Sequence, residues 1–172
     1  MCLIGTQVIK KLLIKMESPK NQFQNPFESA FNCKYTLFYE ARSHCRHKSI
    51  LDLFLKTIDV ESFKNNSFEE IFLKIQKIKN EMCIKGSIGN LTIYDIASDI
   101  TRYHGKYIDK VYIIGSGPVR AIKLLGIKKQ SDSTLKLHYI SCMDVCTKFS
   151  LPPTCDGDLL ETFLCQWQKN IF

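Results

Sequence analysis

Apolar residues recur at intervals of three and four along most of this chain, the spacing that gathers one face of an α-helix. Leu3, Ile4, Val8, Ile9, Leu12, Leu13 and Met16 form the first such stripe, which predicts an amphipathic helix over about 3–17 docked on the protein body. Lys10, Lys11 and Lys15 interrupt it, so it has neither the apolar length of a membrane span nor the uninterrupted core of a signal peptide. Asn25-Pro26-Phe27-Glu28 joins a capping residue, a proline at a first-turn position and a Glu able to reach back, and so predicts a helix start. Phe27, Phe31, Tyr35, Phe38 and Arg42 continue that helix along one largely aromatic face.

Ser49 with Asp52 opens a second apolar stretch through Leu51, Phe54, Leu55 and Ile58. Ser67-Phe68-Glu69-Glu70 reads as a full capping box. Behind it Phe68, Ile71, Phe72, Ile75, Ile78 and Met82 share one face, and Lys74, Lys77 and Lys79 take the solvated side. Gly86, Gly89 and Asn90 end that helix, and Thr92 with Asp95 begins another through Ile96, Ile100 and Tyr103.

The pattern changes at Lys110, where the β-branched run Val111-Tyr112-Ile113-Ile114 meets Gly115-Ser116-Gly117-Pro118. Pro118 suits the first position of a helix over Val119, Ile122, Leu124 and Leu125, with Gly126 placed to stop it. Leu135 to Ile140 fits strand alternation through Leu135, Leu137 and Tyr139, and helical spacing through Leu137, Ile140 and Asp144. Leu151-Pro152-Pro153 is a rigid break before a last amphipathic helix through Asp158, Leu159, Leu160, Phe163, Leu164 and Trp167. These elements predict a mainly α, single compact multi-helix domain over 1–172. It comprises the docking helix, a helical body over about 26–103, and a glycine-turn and C-terminal helical region over about 104–172, with one short strand pair near Val111–Ile114 and Leu135–Ile140.

Composition supports a folded chain, since 45% of the 172 residues are hydrophobic, enough apolar material to offset the entropy lost on folding. Twenty-four Lys and Arg against 17 Asp and Glu leave a formal charge of +7, which favours phosphate-rich partners and also serves solubility. Eight cysteines lack a signal segment or a compact framework, and Cys33, Cys83 and Cys165 fall within apolar helical patterns. Reduced thiols in a cytoplasmic setting are therefore expected.

The candidate chemistry concentrates in Gly115-Ser116-Gly117-Pro118-Val119-Arg120-Ala121. Paired glycines ahead of a helix let backbone amides approach a phosphate, and the helix dipole favours the anion. Ile114-Gly115-Ser116-Gly117 with Ala121 resembles the helix-hairpin-helix modules of DNA-binding proteins, which grip backbone phosphate without reading bases. The segment Thr92–Tyr103 stands as the first helix of such a unit. The resemblance implies DNA binding by Gly115, Ser116 and Gly117, and nearby Arg120, Lys123 and Lys128 supply matching charge. The span Leu91–Gly126, with Leu151-Pro152-Pro153 and Glu161-Thr162-Phe163-Leu164-Cys165, is similar to an uncharacterised family of small bacterial proteins and implies relatives without an activity.

Two other functions compete. One is a noncatalytic protein-interaction domain. The other is a nucleotide-binding enzyme in which Val111–Ile114, the following helix and a strand at Leu135–Ile140 make a minimal Rossmann-like unit, with Asp144 on the ribose. Asp132 and Asp144 are the only carboxylates between Gly117 and Leu151; turn formation and helical exposure account for them without a catalytic role. No catalytic residue, cofactor or metal is assigned. His44-Cys45-Arg46-His47 and His138-x3-Cys142-x3-Cys146 match no zinc pattern and read as packing and surface residues.

Overall fold

The computed structural model describes residues 37–83 and 86–169. The docking stripe at 3–17, the helix start at Asn25 and Cys33 lie outside them. Among the described residues the fold is mainly helical, with seven α-helices and a small three-stranded antiparallel sheet. They fall into two compact units that divide between Lys106 and Tyr107.

The first unit holds α1 (Tyr39–His44), α2 (Lys48–Leu55), a 3-10 turn (Val60–Phe63), α3 (Phe68–Glu81) and α4 (Asn90–Tyr103). The aromatic helix predicted to run through Arg42 does not pass Phe38, which takes the left-handed conformation at φ 65° ahead of α1. Its N–H donates to Asp99 Oδ2 at 2.6 Å, an acceptor that helps hold an otherwise unfavourable backbone. α2 is preceded by His47, with Ser49 inside the helix and not at its cap, and Asp52 pairs with Arg42. The capping box before α3 forms as its sequence requires: Ser67 N–H donates to Glu70 Oε2 at 2.7 Å and Glu70 N–H to Ser67 Oγ at 3.3 Å. That helix ends at Met82, and Cys83, not a glycine, turns left-handed at φ 55°. Cys83 is exposed there, outside any apolar helical face.

α4 packs on both α3 and α1, with Tyr94 edge-on to Phe68 at 5.5 Å between ring centroids. It starts at Asn90 after Gly89, so Thr92 and Asp95 lie within the helix instead of opening it. Every residue from Thr92 to Thr101 is buried, so the two carboxylates in this stretch need partners. Asp95 meets His44 at 2.8 Å, and Asp99 meets Arg102 at 2.7 Å.

The second unit holds β1 (Lys110–Tyr112), α5 (Ser116–Leu125), β2 (Gln130–Asp132), β3 (Leu137–Ser141), α6 (Cys142–Phe149) and α7 (Gly157–Lys169). The sheet order is β1-β3-β2, with Val111 opposite Ile140 and Ser131 opposite His138. Thus the ambiguous stretch 135–140 resolves as a turn through Leu135 and Lys136 followed by strand β3 from Leu137, and Asp144 belongs to the separate helix α6. Val111, Ile113, Ile122, Ile140, Leu160 and Phe163 form the centre of the core. Phe149 packs edge-to-face on Phe163 and Trp167, with ring centroids 4.8 and 5.2 Å apart.

α7 is locked to the β1 side of the unit. Asp156 caps it by accepting from Asp158 N–H at 3.0 Å and Leu159 N–H at 3.3 Å. Its other oxygen accepts from Ile108 N–H at 2.8 Å. Gly157 follows because a Cβ there would stand 2.1 Å from the Lys110 carbonyl oxygen. No helix among the described residues is long and apolar enough to cross a membrane.

Candidate functional site

The Gly-Ser-Gly segment links β1 to α5, and its glycines have different physical reasons. Gly115 adopts φ 90°, ψ 172°, a region essentially closed to residues with a Cβ. Nothing lies within 4 Å of where its Cβ would be, so backbone conformation alone requires glycine. Gly117 is buried, and a Cβ there would stand 2.3 Å from Cys165 Sγ and 3.3 Å from Cys165 Cα. Close packing of α5 on α7 accounts for it. Pro118 is the third residue of α5, which begins at Ser116, and its missing N–H falls among donors that a first turn leaves unpaired.

Helical spacing brings Ser116, Arg120 and Lys123 to one face of α5, and all three are exposed. No side chain caps the N-terminus of this helix, which leaves its positive dipole end at Ser116, with Arg120 one turn further along and Lys123 in the last turn. Lys128 is exposed beyond the helix stop at Gly126, on the segment leading to β2, with Lys129 beside it in sequence. No carboxylate occurs between Lys110 and Ser131. Gly117 points into the packing with Cys165 and is not part of the exposed group. Lys110 is engaged elsewhere, 3.7 Å from Asp132 and over the Tyr139 ring at 5.3 Å. Val119 and Leu124 flank the basic face as exposed apolar residues.

The setting differs from both devices that the glycine pattern suggests. A strand, β1, stands directly before the turn, and α4 ends at Tyr103, so the turn does not join two helices as in a helix-hairpin-helix. β1 and β3 are antiparallel, whereas a Rossmann-like unit requires them parallel. The mismatch arises because β3 returns immediately after the β2 hairpin, leaving no second crossover.

Asp132 accepts from Thr134 and Leu135 N–H, both at 3.0 Å. The Leu135 N–H, followed by that of Thr134 and the charge of Lys110, holds its carboxyl below the ordinary carboxylate range despite partial burial. Asp144 lies exposed in the first turn of α6. His138 is exposed on β3 and meets Ser131 at 3.1 Å, while Cys142 and Cys146 are buried on α6. Among the described residues no group of three or more His, Cys, Asp or Glu side chains is arranged to hold a metal ion. Burial pushes the Cys142 thiol up to about 12, with help from the charge of Asp156. Burial and then the neighbouring Cys146 push Cys155 up to about 11. These thiols are poor nucleophiles near neutrality.

Pattern reading did not single out Asp156, Asp95 and Asp99 for the work they do. Asp156 had a signal, an Asp just ahead of an apolar helical run. Asp95, expected to open the helix with Thr92, and Asp99 lie four apart beside Ile96 and Ile100, and nothing local in the sequence signals their burial. Comparison with family models, curated proteins and solved structures gives no match to this chain.

Proposed function

We propose that this protein binds nucleic acid, DNA or another phosphate-rich strand, through backbone phosphate at the exposed face of α5. The observation that carries the reading is the alignment of Ser116, Arg120 and Lys123 on one exposed face of α5, running from its uncapped start to its last turn, in a stretch of sequence without carboxylates. Lys128 extends the positive field past the helix end. In this reading Gly115 sets the direction of the turn and Gly117 sets the packing of α5, so neither needs to touch the ligand.

Fluorescence anisotropy of the full-length protein with labelled DNA across a salt series tests the reading. Affinity should fall steeply as salt rises. Replacing Arg120 and Lys123 by Glu should weaken binding and lower the salt slope by about one for each phosphate that is no longer neutralised. Absence of binding at low salt would overturn it. Gly117→Asp is unsuitable as a binding probe because its side chain would collide with Cys165.

Val119 and Leu124 favour a second reading, a noncatalytic protein-interaction surface. An apolar interface would hold its affinity as salt rises, which separates it from phosphate binding.

A further inference from the structure

The exposed face of α5 is mixed. Val119 and Leu124 are 50% and 48% exposed, and each lies one helical turn from a cation: Val119 four before Lys123, Leu124 four after Arg120. Around the helix Lys123, Ser116 and Arg120 are therefore neighbours, with Val119 and Leu124 flanking them on either side, and the sequence between Lys110 and Ser131 contains no acidic residue.

Apolar side chains gain by being covered. The sugar-phosphate backbone of a duplex offers them little cover, because its base faces are stacked inside. A single strand carries the same negative charge beside unpaired bases, whose flat apolar faces are free to lie on a side chain. Resting on the phosphate reading above, we infer that the α5 face takes single-stranded nucleic acid in preference to duplex. Arg120 and Lys123 engage phosphate, and Val119 and Leu124 cover bases. Aliphatic contacts do not read base edges, so recognition is tolerant of sequence.

The test compares a labelled mixed-sequence DNA strand with its own duplex, binding to the full-length protein at one low salt concentration. Two double variants are included, Val119→Ser with Leu124→Ser and Arg120→Gln with Lys123→Gln, each checked for native circular dichroism. The unmodified protein should bind the strand about tenfold more tightly than the duplex. The apolar double variant should weaken strand binding alone and close that gap, while the basic double variant should weaken both. Equal affinity for strand and duplex, or an apolar variant that leaves the preference intact or weakens both forms alike, would overturn the single-strand inference and leave phosphate binding standing. No binding to either form would overturn both readings and direct attention to an acidic protein partner.

Discussion

Gly117 and Cys165 hold α5 against α7 with no room for a methyl group between them, since a Cβ on Gly117 would stand 2.3 Å from Cys165 Sγ. The sulfur can rotate away, but the Cys165 Cα and Cβ, each 3.3 Å from the same point, belong to the facing helix and can only retreat with it. Gly117→Ala should therefore destabilise the protein by about 1–3 kcal/mol through overpacking. Cys165→Ala in the same chain removes the sulfur and should recover part of the loss. Urea unfolding of the two single variants and the double variant gives the coupling directly. Strictly additive effects would show that the two residues do not compete for this space.

Asp156 joins backbone donors from two segments far apart in sequence, Ile108 on one side and the adjacent Asp158 and Leu159 on the other. Removing the carboxylate strips the cap from α7 and leaves the Ile108 N–H buried without this acceptor. Asp156→Ala should cost about 2–4 kcal/mol, the sum of a missing cap and a missing charge-assisted bond. Asp156→Asn keeps one acceptor oxygen and should fall between the two. Denaturation midpoints check the order, and an alanine variant within error of the unmodified protein would refute the role.

Thiol burial makes stability depend on pH in alkali. Cys142 is raised from 9.0 to about 12 in the folded protein, so the folded state resists losing a proton that the unfolded chain gives up earlier. The stabilisation is complete below pH 9.0 and drains away as pH rises toward about 12. Cys142→Ala introduces a small pH-independent packing loss and removes this slope. Unfolding midpoints measured at pH 8.0, 9.0 and 10.0 should converge between variant and unmodified protein as pH rises. Parallel curves would rule out Cys142 as a source.

These relationships explain which parts of the fold were legible in the sequence. The capping box at Ser67 and Glu70, the helix stop at Gly126 and the break at Pro152-Pro153 are local, so a few adjacent residues determine them. Phe38 turns left-handed beside Asp99, sixty-one residues away, and no local pattern carries that pairing. Gly117 is the instructive case at the candidate site. Its neighbours suggest phosphate chemistry, while its actual constraint comes from Cys165 on another helix. Ser116, Arg120 and Lys123 share a face by helical period alone, which is why that part of the site is readable without any knowledge of packing.

Gly115 and the basic face of α5 should separate structure from binding in one comparison. At φ 90° and ψ 172°, Gly115→Ala meets no neighbouring atom and yet forces a Cβ into a backbone region it strongly disfavours, at a cost of about 1–3 kcal/mol. Asparagine should not rescue it, because asparagine tolerates the left-handed helical region and not this one. Arg120→Gln and Lys123→Gln alter only exposed side chains and should change stability by no more than about 0.5 kcal/mol. Thermal unfolding and nucleic-acid binding measured on the same samples should then split the variants. Gly115→Ala lowers the melting temperature and retains phosphate affinity wherever it is folded, while the charge variants keep the melting temperature and lose affinity. A Gly115→Ala protein that is fully folded and unable to bind would instead make the backbone of the turn itself the group that holds phosphate.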